Sequence, residues 1–477
     1  MLRYGLDFGT TNSSISIMDR GVVKLLSLDN LAPDPEVVRS TLYYYPKRIK
    51  YSDTVKPLQL STLGFKEGQL SYEGETKTLF GVGAVNQYLA DSRNRKPGIV
   101  RRIYSGKKIK YFLGKTIGGG DMYEDVDEYY DETDFGTGTL FHALKSALKS
   151  PNYIGCTLFG QKITLEELIG TFISDLKQRA DTITKESVTS VTCGRPVVFS
   201  TDPEKDKIIQ NRLEDSLKLS GFSDIRFEYE PIAVAKSYLR QNPSKSQTVL
   251  IFDFGGGTLD TTIVRQESKT DVLATGGVYI GGDLLNADVF EAKLFSYFGS
   301  NATWGDKSFA FPKGIYEGLR SWFGIINLNN PDNIHFLKET ARYNHSDLPA
   351  LDRLLYFITM NLGFEVYESI EKAKKQLSVS EQTSIDFTDG PVNIHIPLTK
   401  TEFETIIDPR IQSIKHTVSE TLLDAHLEPG QIDKVITTGG SSLIPCVAGM
   451  LSGIFGKEKL SLFDTFTSIS AGLSLEN

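Results

Sequence analysis

Two stretches far apart in the chain carry one pattern: "GLDFGTTNSSISI" at 5–17 and "IFDFGGGTLDTTIV" at 251–264. Each has an apolar lead, Asp-Phe-Gly, a turn of glycine and threonine, and an exit that alternates Ser or Thr with apolar residues. A period of two on both sides, with glycine confined to the middle, predicts strand, tight turn, strand. Glycine permits positive φ and has no Cβ, so backbone N–H groups in such a turn approach an anion closely. Asp7 and Asp253 fall at strand ends, where a carboxylate holds a hydrated Mg²⁺. A lone Gly-rich hairpin is most simply a tight turn. Two copies with an aspartate at the same place imply turns that clamp a polyphosphate from both sides. Phosphate contacts then fall to Gly9, Thr10, Thr11 and Asn12 in the first copy and to Gly255, Gly256, Gly257 and Thr258 in the second, with Asp260 at the rim.

Other phosphate motifs fail here. "FLGKT" at 112–116 closes like a P-loop, but Ile109 stands where the first glycine is required. No strand, G-x-G-x-x-G, helix unit occurs.

At 477 residues the chain exceeds a single core, so two or three folded units are expected. A net charge of -8 argues against nucleic-acid or anionic-membrane binding. Cys156, Cys193 and Cys446 are far apart and lack metal spacing, which fits core thiols in a reducing cytosol. Neither a signal peptide nor a membrane-length apolar run is apparent, so a cytoplasmic location is expected.

The two hairpins mark two lobes, 1–245 and 246–477, divided at the polar breaker "QNPSKSQ" (241–247), with the last helix packing back on lobe I. Apolar spacing predicts helices over 163–180, 205–220 and 401–425, and buried strands over 191–199 and 433–439. Strands alternating with helices in each half indicate two α/β cores with a cleft between them. Residues 93–115 hold nine Lys or Arg and no acid, whereas 121–134 hold eight Asp or Glu and no base. The acidic run reads as a loop that neutralises its neighbour, within an insert at about 118–138. The tract 308–337, with both tryptophans, reads as the core of an enlarged lobe II.

Further motifs lie in order between and after the hairpins, and with them the chain resembles the sugar kinase, heat-shock chaperone and actin superfamily, most closely the ATPase domain of the seventy-kilodalton heat-shock chaperones. They are "KYFLG" (110–114), "YEPIAVA" (229–235), "GGDLLNADVF" (281–290), "EKAKKQLS" (371–378) and "TTGGSSLIP" (437–445). The resemblance implies a two-lobed actin-like α/β ATPase fold, with duplicated ribonuclease H-like cores and a nucleotide cleft. It implies Lys110 as catalytic lysine, Glu230 beside the metal and attacking water, and Gly281, Gly282 and Asp283 as an acidic glycine turn. It also implies Glu371, Lys374, Lys375 and Ser378 on the adenosine helix, and Gly439, Gly440 and Ser441 under the α-phosphate and ribose. Read without the family, Glu371, Lys374 and Ser378 are one face of a helix, an ordinary solvated ion-pair face.

Phosphoryl transfer to water follows, with ATP or ADP and Mg²⁺ as cofactors, slow turnover, and the catalytic work shared among Lys110, Glu230, Asp253 and Thr258. Where the family stacks two arginines on adenine, this chain has Lys375 and Leu443, so cation–π contact weakens on one face and is lost on the other. No peptide-binding domain follows "SISAGLSLEN", so a chaperone-like ATPase working through a protein partner or client is expected. A sugar-type kinase and a nucleotide-binding scaffold remain alternatives.

Overall fold

In a computed structural model of the chain the described residues are 2–45, 48–52, 69–73, 77–93, 99–115, 121–134, 138–148, 154–159, 161–197, 199–200, 202–241, 246–267, 270–305, 307–343, 347–463 and 467–475. The expected lobe boundary at 245 lies outside them, as do the ends of the insert at 118–120 and 135–137.

Ten strands build two sheets of the same plan. The first uses β1 (Tyr4–Phe8), β2 (Asn12–Asp19), β3 (Val22–Leu25), β4 (Ser190–Arg195) and β5 (Asp224–Tyr229) in the order β5-β4-β1-β2-β3, with the short strand Val38–Arg39 added beside β2. The second uses β6 (Gln247–Phe254), β7 (Leu259–Gln266), β8 (Thr270–Val278), β9 (Lys434–Thr438) and β10 (Leu460–Leu462) in the order β10-β9-β6-β7-β8. In each, three consecutive strands pair antiparallel as a meander. Two later strands then extend each sheet in parallel, β4 beside β1 and β5 beside β4, and β9 beside β6 and β10 beside β9. A parallel strand needs a long crossover, which is why β4 and β9 come so late in the chain.

The central strand β1 is buried throughout and β6 is buried at its apolar residues, as the runs "YGLDF" and "VLIFDF" require. Helix Leu165–Thr184 covers the first sheet. It starts at a capping box in which Thr164 and Glu167 satisfy each other's backbone N–H, a device worth about 1 kcal/mol. Its buried stripe of Leu165, Leu168, Ile169, Phe172, Ile173 and Leu176 has the period of a helix pressed on a sheet. Helices Pro203–Leu219 and Lys400–Asp424 occupy the other segments of helical spacing, the latter opened by a second capping box at Thr399 and Glu402. The second core joins Phe252, Phe254, Phe290, Phe298 and Phe357, and Phe290 stacks on Phe298 at 6.0 Å. The tract 308–337 contributes Phe311, Ile315, Leu319, Ile325 and Leu337 to this core.

The acidic run is a strand rather than the expected loop. Asp121–Asp134 pairs antiparallel with Ile99–Lys115, and the register sets Asp125 opposite Lys110. Opposite charges directly across a ladder stabilise pairing that neither run would sustain against a like-charged partner. Among the described residues no helix is long and apolar enough to cross a membrane.

Candidate functional site

Three glycine turns meet at the ends of the second sheet. Gly255 N–H donates to the Thr258 carbonyl at 3.0 Å and closes the β6–β7 turn. The N–H groups of Gly282 and Asp283, at the start of helix Gly282–Leu294, donate back to the carbonyls of Gly255 and Gly256 at 3.0 and 2.9 Å. Ser441 Oγ donates to the Gly255 carbonyl from the opposite side at 2.8 Å. Backbone lies against backbone here: a Cβ on Gly281 would sit 2.2 Å from the Gly256 carbonyl oxygen. Gly439, at φ 80°, turns the chain after β9, and a Cβ on it would lie 2.4 Å from the Phe254 oxygen. Gly440 follows in a short 3-10 turn.

The β1–β2 turn faces this group. A Cβ on Gly256 would fall 2.6 Å from Thr11 Oγ1, and one on Gly257 would fall 3.6 Å from Thr10 Cγ2. Serines brace the first turn. Gly9 N–H donates to Ser13 Oγ, Ser40 Oγ donates to the Gly9 carbonyl at 2.8 Å, and Ser40 N–H donates to the Thr11 carbonyl at 2.8 Å. Asn12 is the first residue of β2, across from Arg39.

Between the turns lie three carboxylates and one amine. Asp7 ends β1, Asp253 ends β6, and Glu230 opens helix Glu230–Gln241 with Pro231 behind it. The amine is Lys145, whose Nζ donates to Glu230 Oε1 at 2.6 Å, with side-chain exposures of 10% and 15%. Burial pushes Asp7 up to about 7; Lys145 draws it back and the charge of Glu230 adds to the rise. Burial, then Asp260, Glu230 and Asp7, push Asp253 up to about 8. Burial works against the charge of Lys145, but Glu230 and Asp7 outweigh it and hold the amine above its ordinary value. Negative charge thus exceeds positive charge in a desolvated place, the condition a bound cation relieves. No group of three or more His, Cys, Asp or Glu among the described residues could hold a metal by itself. The donor set therefore suits a hydrated Mg²⁺ completed by phosphate oxygens.

Lys110 does not join this group. It is exposed on the strand Ile99–Lys115, across from Asp125, and the lysine brought to Glu230 is Lys145, in the short helix Leu144–Ala147. Sequence reading missed Lys145 because no local motif surrounds it. The one available cue was the lack of any acid between Asp134 and Glu166, which leaves this lysine to find its partner in space.

Thr258 Oγ1 donates to Asp260 at 2.9 Å at the rim. A cavity of about 440 Å³ opens beside Glu230, Asp253, Thr258 and Asp260, and Pro196, just past the end of β4, borders it. On helix Gly363–Gln376, Glu371 accepts from Lys374 Nζ at 2.5 Å and from Asn286 Nδ2 at 2.9 Å. Burial opposes the charge on Glu371, but these two partners hold its carboxyl below the ordinary value. Lys374 Nζ also reaches the Gly282 carbonyl at 3.4 Å, tying this helix to the glycine turns. Lys375 is 75% exposed beside Glu371, and Leu443 is 45% exposed. Ser378 lies in the turn beyond the helix end, with its N–H on the Lys375 carbonyl.

The family model for the Hsp70 protein matches residues 135–303 and 362–475, more than half of the chain. The chain belongs to the Hsp70 family. Its fold is the actin-like α/β fold of that family. The chain is 24% identical over 462 residues to chaperone protein dnaK of Gracilaria tenuistipitata var. liui, covering 95% of this chain and 56% of that protein. It is 22% identical over 481 residues to chaperone protein DnaK of Prochlorococcus marinus (strain MIT 9515), covering 99% of this chain and 58% of that protein. The chain therefore spans a little over half the length of these curated relatives. The matched blocks contain Lys145, Glu230, Asp253 and Glu371, and leave out Lys110 and the segment 304–361.

Proposed function

We propose that this Hsp70-family chain binds ATP with Mg²⁺ in the cleft between lobes 1–245 and 246–477 and hydrolyses it slowly. One observation carries the reading: Lys145, Glu230, Asp7 and Asp253 converge between two facing glycine turns. Asp7 and Asp253 would hold Mg²⁺ through water, and the ion would supply charge neutralisation on the phosphates. Lys145 takes the role first expected of Lys110 and faces the charge on the transferred phosphate. Glu230 orders the attacking water, held in place by Lys145. Thr10, Thr11 and Thr258 donate to phosphate oxygens, together with N–H groups of the two turns. Gly281, Gly282, Asp283, Gly439, Gly440 and Ser441 form the floor under the sugar and α-phosphate. Glu371, Lys374 and Ser378 take the ribose and base, with Lys375 and Leu443 on the base faces. The names of the relatives support a chaperone role, and the proposal includes its exercise through protein partners or clients in the cytoplasm.

The test is calorimetric titration with ATP, ADP and GTP in Mg²⁺, then phosphate release by wild type, Lys145→Ala and Lys110→Ala. Adenine-selective binding, with release lost in Lys145→Ala and kept in Lys110→Ala, is expected. Equal loss in both variants, or no nucleotide binding by folded protein, refutes it. A second reading rests on the cavity beside Glu230 and Asp260, where a hydroxyl acceptor would make the protein a small-molecule kinase. Transfer of labelled phosphate to added polyols in place of water would establish that one.

A further inference from the structure

The segment 304–361, outside both blocks matched by the family, reaches across to the strand and turn that carry Lys145. Trp322, the first residue of helix Trp322–Leu328, packs tilted against His142 with ring centroids 4.9 Å apart and planes at 36°. Its ring is held edge-on by Phe364 at 5.3 Å. His142 ends the strand Thr139–His142, and the next residue, Ala143, takes the left-handed conformation, φ 52° and ψ 32°. Alanine has no side-chain hydrogen bond to support that geometry, so the surrounding contacts must impose it. Two residues later Lys145 reaches Glu230, and Ser146 Oγ meets Thr10 Oγ1 of the first phosphate turn at 3.4 Å. The strained turn is thus pinned at one end by an aromatic ring from the segment 304–361 and at the other by the pair of Lys145 and Glu230.

We propose that Trp322 is a positioning residue for Lys145: its packing on His142 sets the left-handed turn at Ala143 and so aims the amine. The proposal rests on the ATPase reading above. A positioning role moves kcat rather than KM, because the contact touches no substrate and a misplacement of about 1 Å costs up to ~100-fold in rate. Trp322→Ala and His142→Ala are expected to lower the kcat of phosphate release by about tenfold with KM within about twofold. Trp322→Phe and His142→Phe keep a ring in place and should restore most of the rate. Unchanged kcat in folded Trp322→Ala or His142→Ala, or phenylalanine variants no better than alanine ones, overturns the proposal. His142→Ala serves if Trp322→Ala does not fold, since it removes the same contact from the other side. A second readout needs no nucleotide. In a Trp304→Phe background the emission of Trp322 is read alone, and adding Lys145→Ala should shift it through the shared turn. No shift overturns the proposal whether or not the protein hydrolyses ATP, whereas wild type that releases no phosphate counts against the ATPase reading itself.

Discussion

Replacing Asp7 with asparagine should stabilise the nucleotide-free protein while disabling the Mg²⁺ site proposed for it. Asp7 is 8% exposed and its carboxyl is pushed from an ordinary 3.8 up to about 7. Between those two values the folded state binds a proton that the unfolded state has released, so stability falls as pH rises through this window and levels off above 7. At about 1.4 kcal/mol per unit, the full penalty above pH 7 is about 4 kcal/mol. Asparagine has nearly the same shape and carries no charge, so it escapes the penalty. The attraction of Lys145 for the ionised carboxyl is already contained in that value, so the net gain at pH 8 is about 4 kcal/mol. The gain should grow by about 2–3 kcal/mol between pH 5 and pH 7 and then stay level. Urea unfolding at pH 5, 6, 7 and 8 without divalent metal measures it. Titration with Mg²⁺ and ATP at pH 8 should stabilise the wild type by mass action and Asp7→Asn far less. A variant no more stable than wild type at pH 8, or a difference that does not vary with pH, would refute the argument that burial strains this carboxylate.

Three further outcomes follow from the same geometry. Gly281→Ala places a methyl group against the Gly256 carbonyl, where only backbone can yield, and should lower unfolding stability by about 1–3 kcal/mol and abolish nucleotide binding by calorimetry. Leu443→Arg offers a cation to one face of the base and should tighten ATP over an unstacked triphosphate by about 0.5–2 kcal/mol, read as the shift in Kd against tripolyphosphate. Phe172→Ala empties the centre of the first core and should lower stability by about 3–5 kcal/mol in urea, with Mg²⁺·ATP affinity per folded molecule unchanged.

Turn chemistry is local, and the parts of the site that depend on it were legible in the sequence. Asp-Phe-Gly followed by glycine and threonine requires a tight turn at the end of a buried strand wherever it occurs, so both phosphate turns and both aspartates could be located by pattern. Glu230 was reached only through the resemblance of "YEPIAVA" to the family's motif, and it does open a helix. Apolar spacing located the helices that start after Thr164 and Thr399, and the structure adds a capping box at each. The acidic run was misread as a loop because its charges mask its capacity to pair. Its partner strand is defined only by the register that brings basic positions opposite it.

The lysine that meets Glu230 belongs to the other kind of information. "KYFLG" and "FHALKS" each offer a lysine among apolar residues, and nothing within either stretch decides between them. Folding decides. One lysine is carried out on a charged hairpin, while the other is turned by a left-handed alanine into a buried carboxylate cluster. Likewise, composition marked 308–337 as core without revealing that Trp322, at the edge of that core, also packs on His142. Local backbone preference is written in neighbouring residues. The pairing of a charge or a ring with a partner more than 80 positions away is set by how distant segments of the chain pack together, and that was settled only in three dimensions.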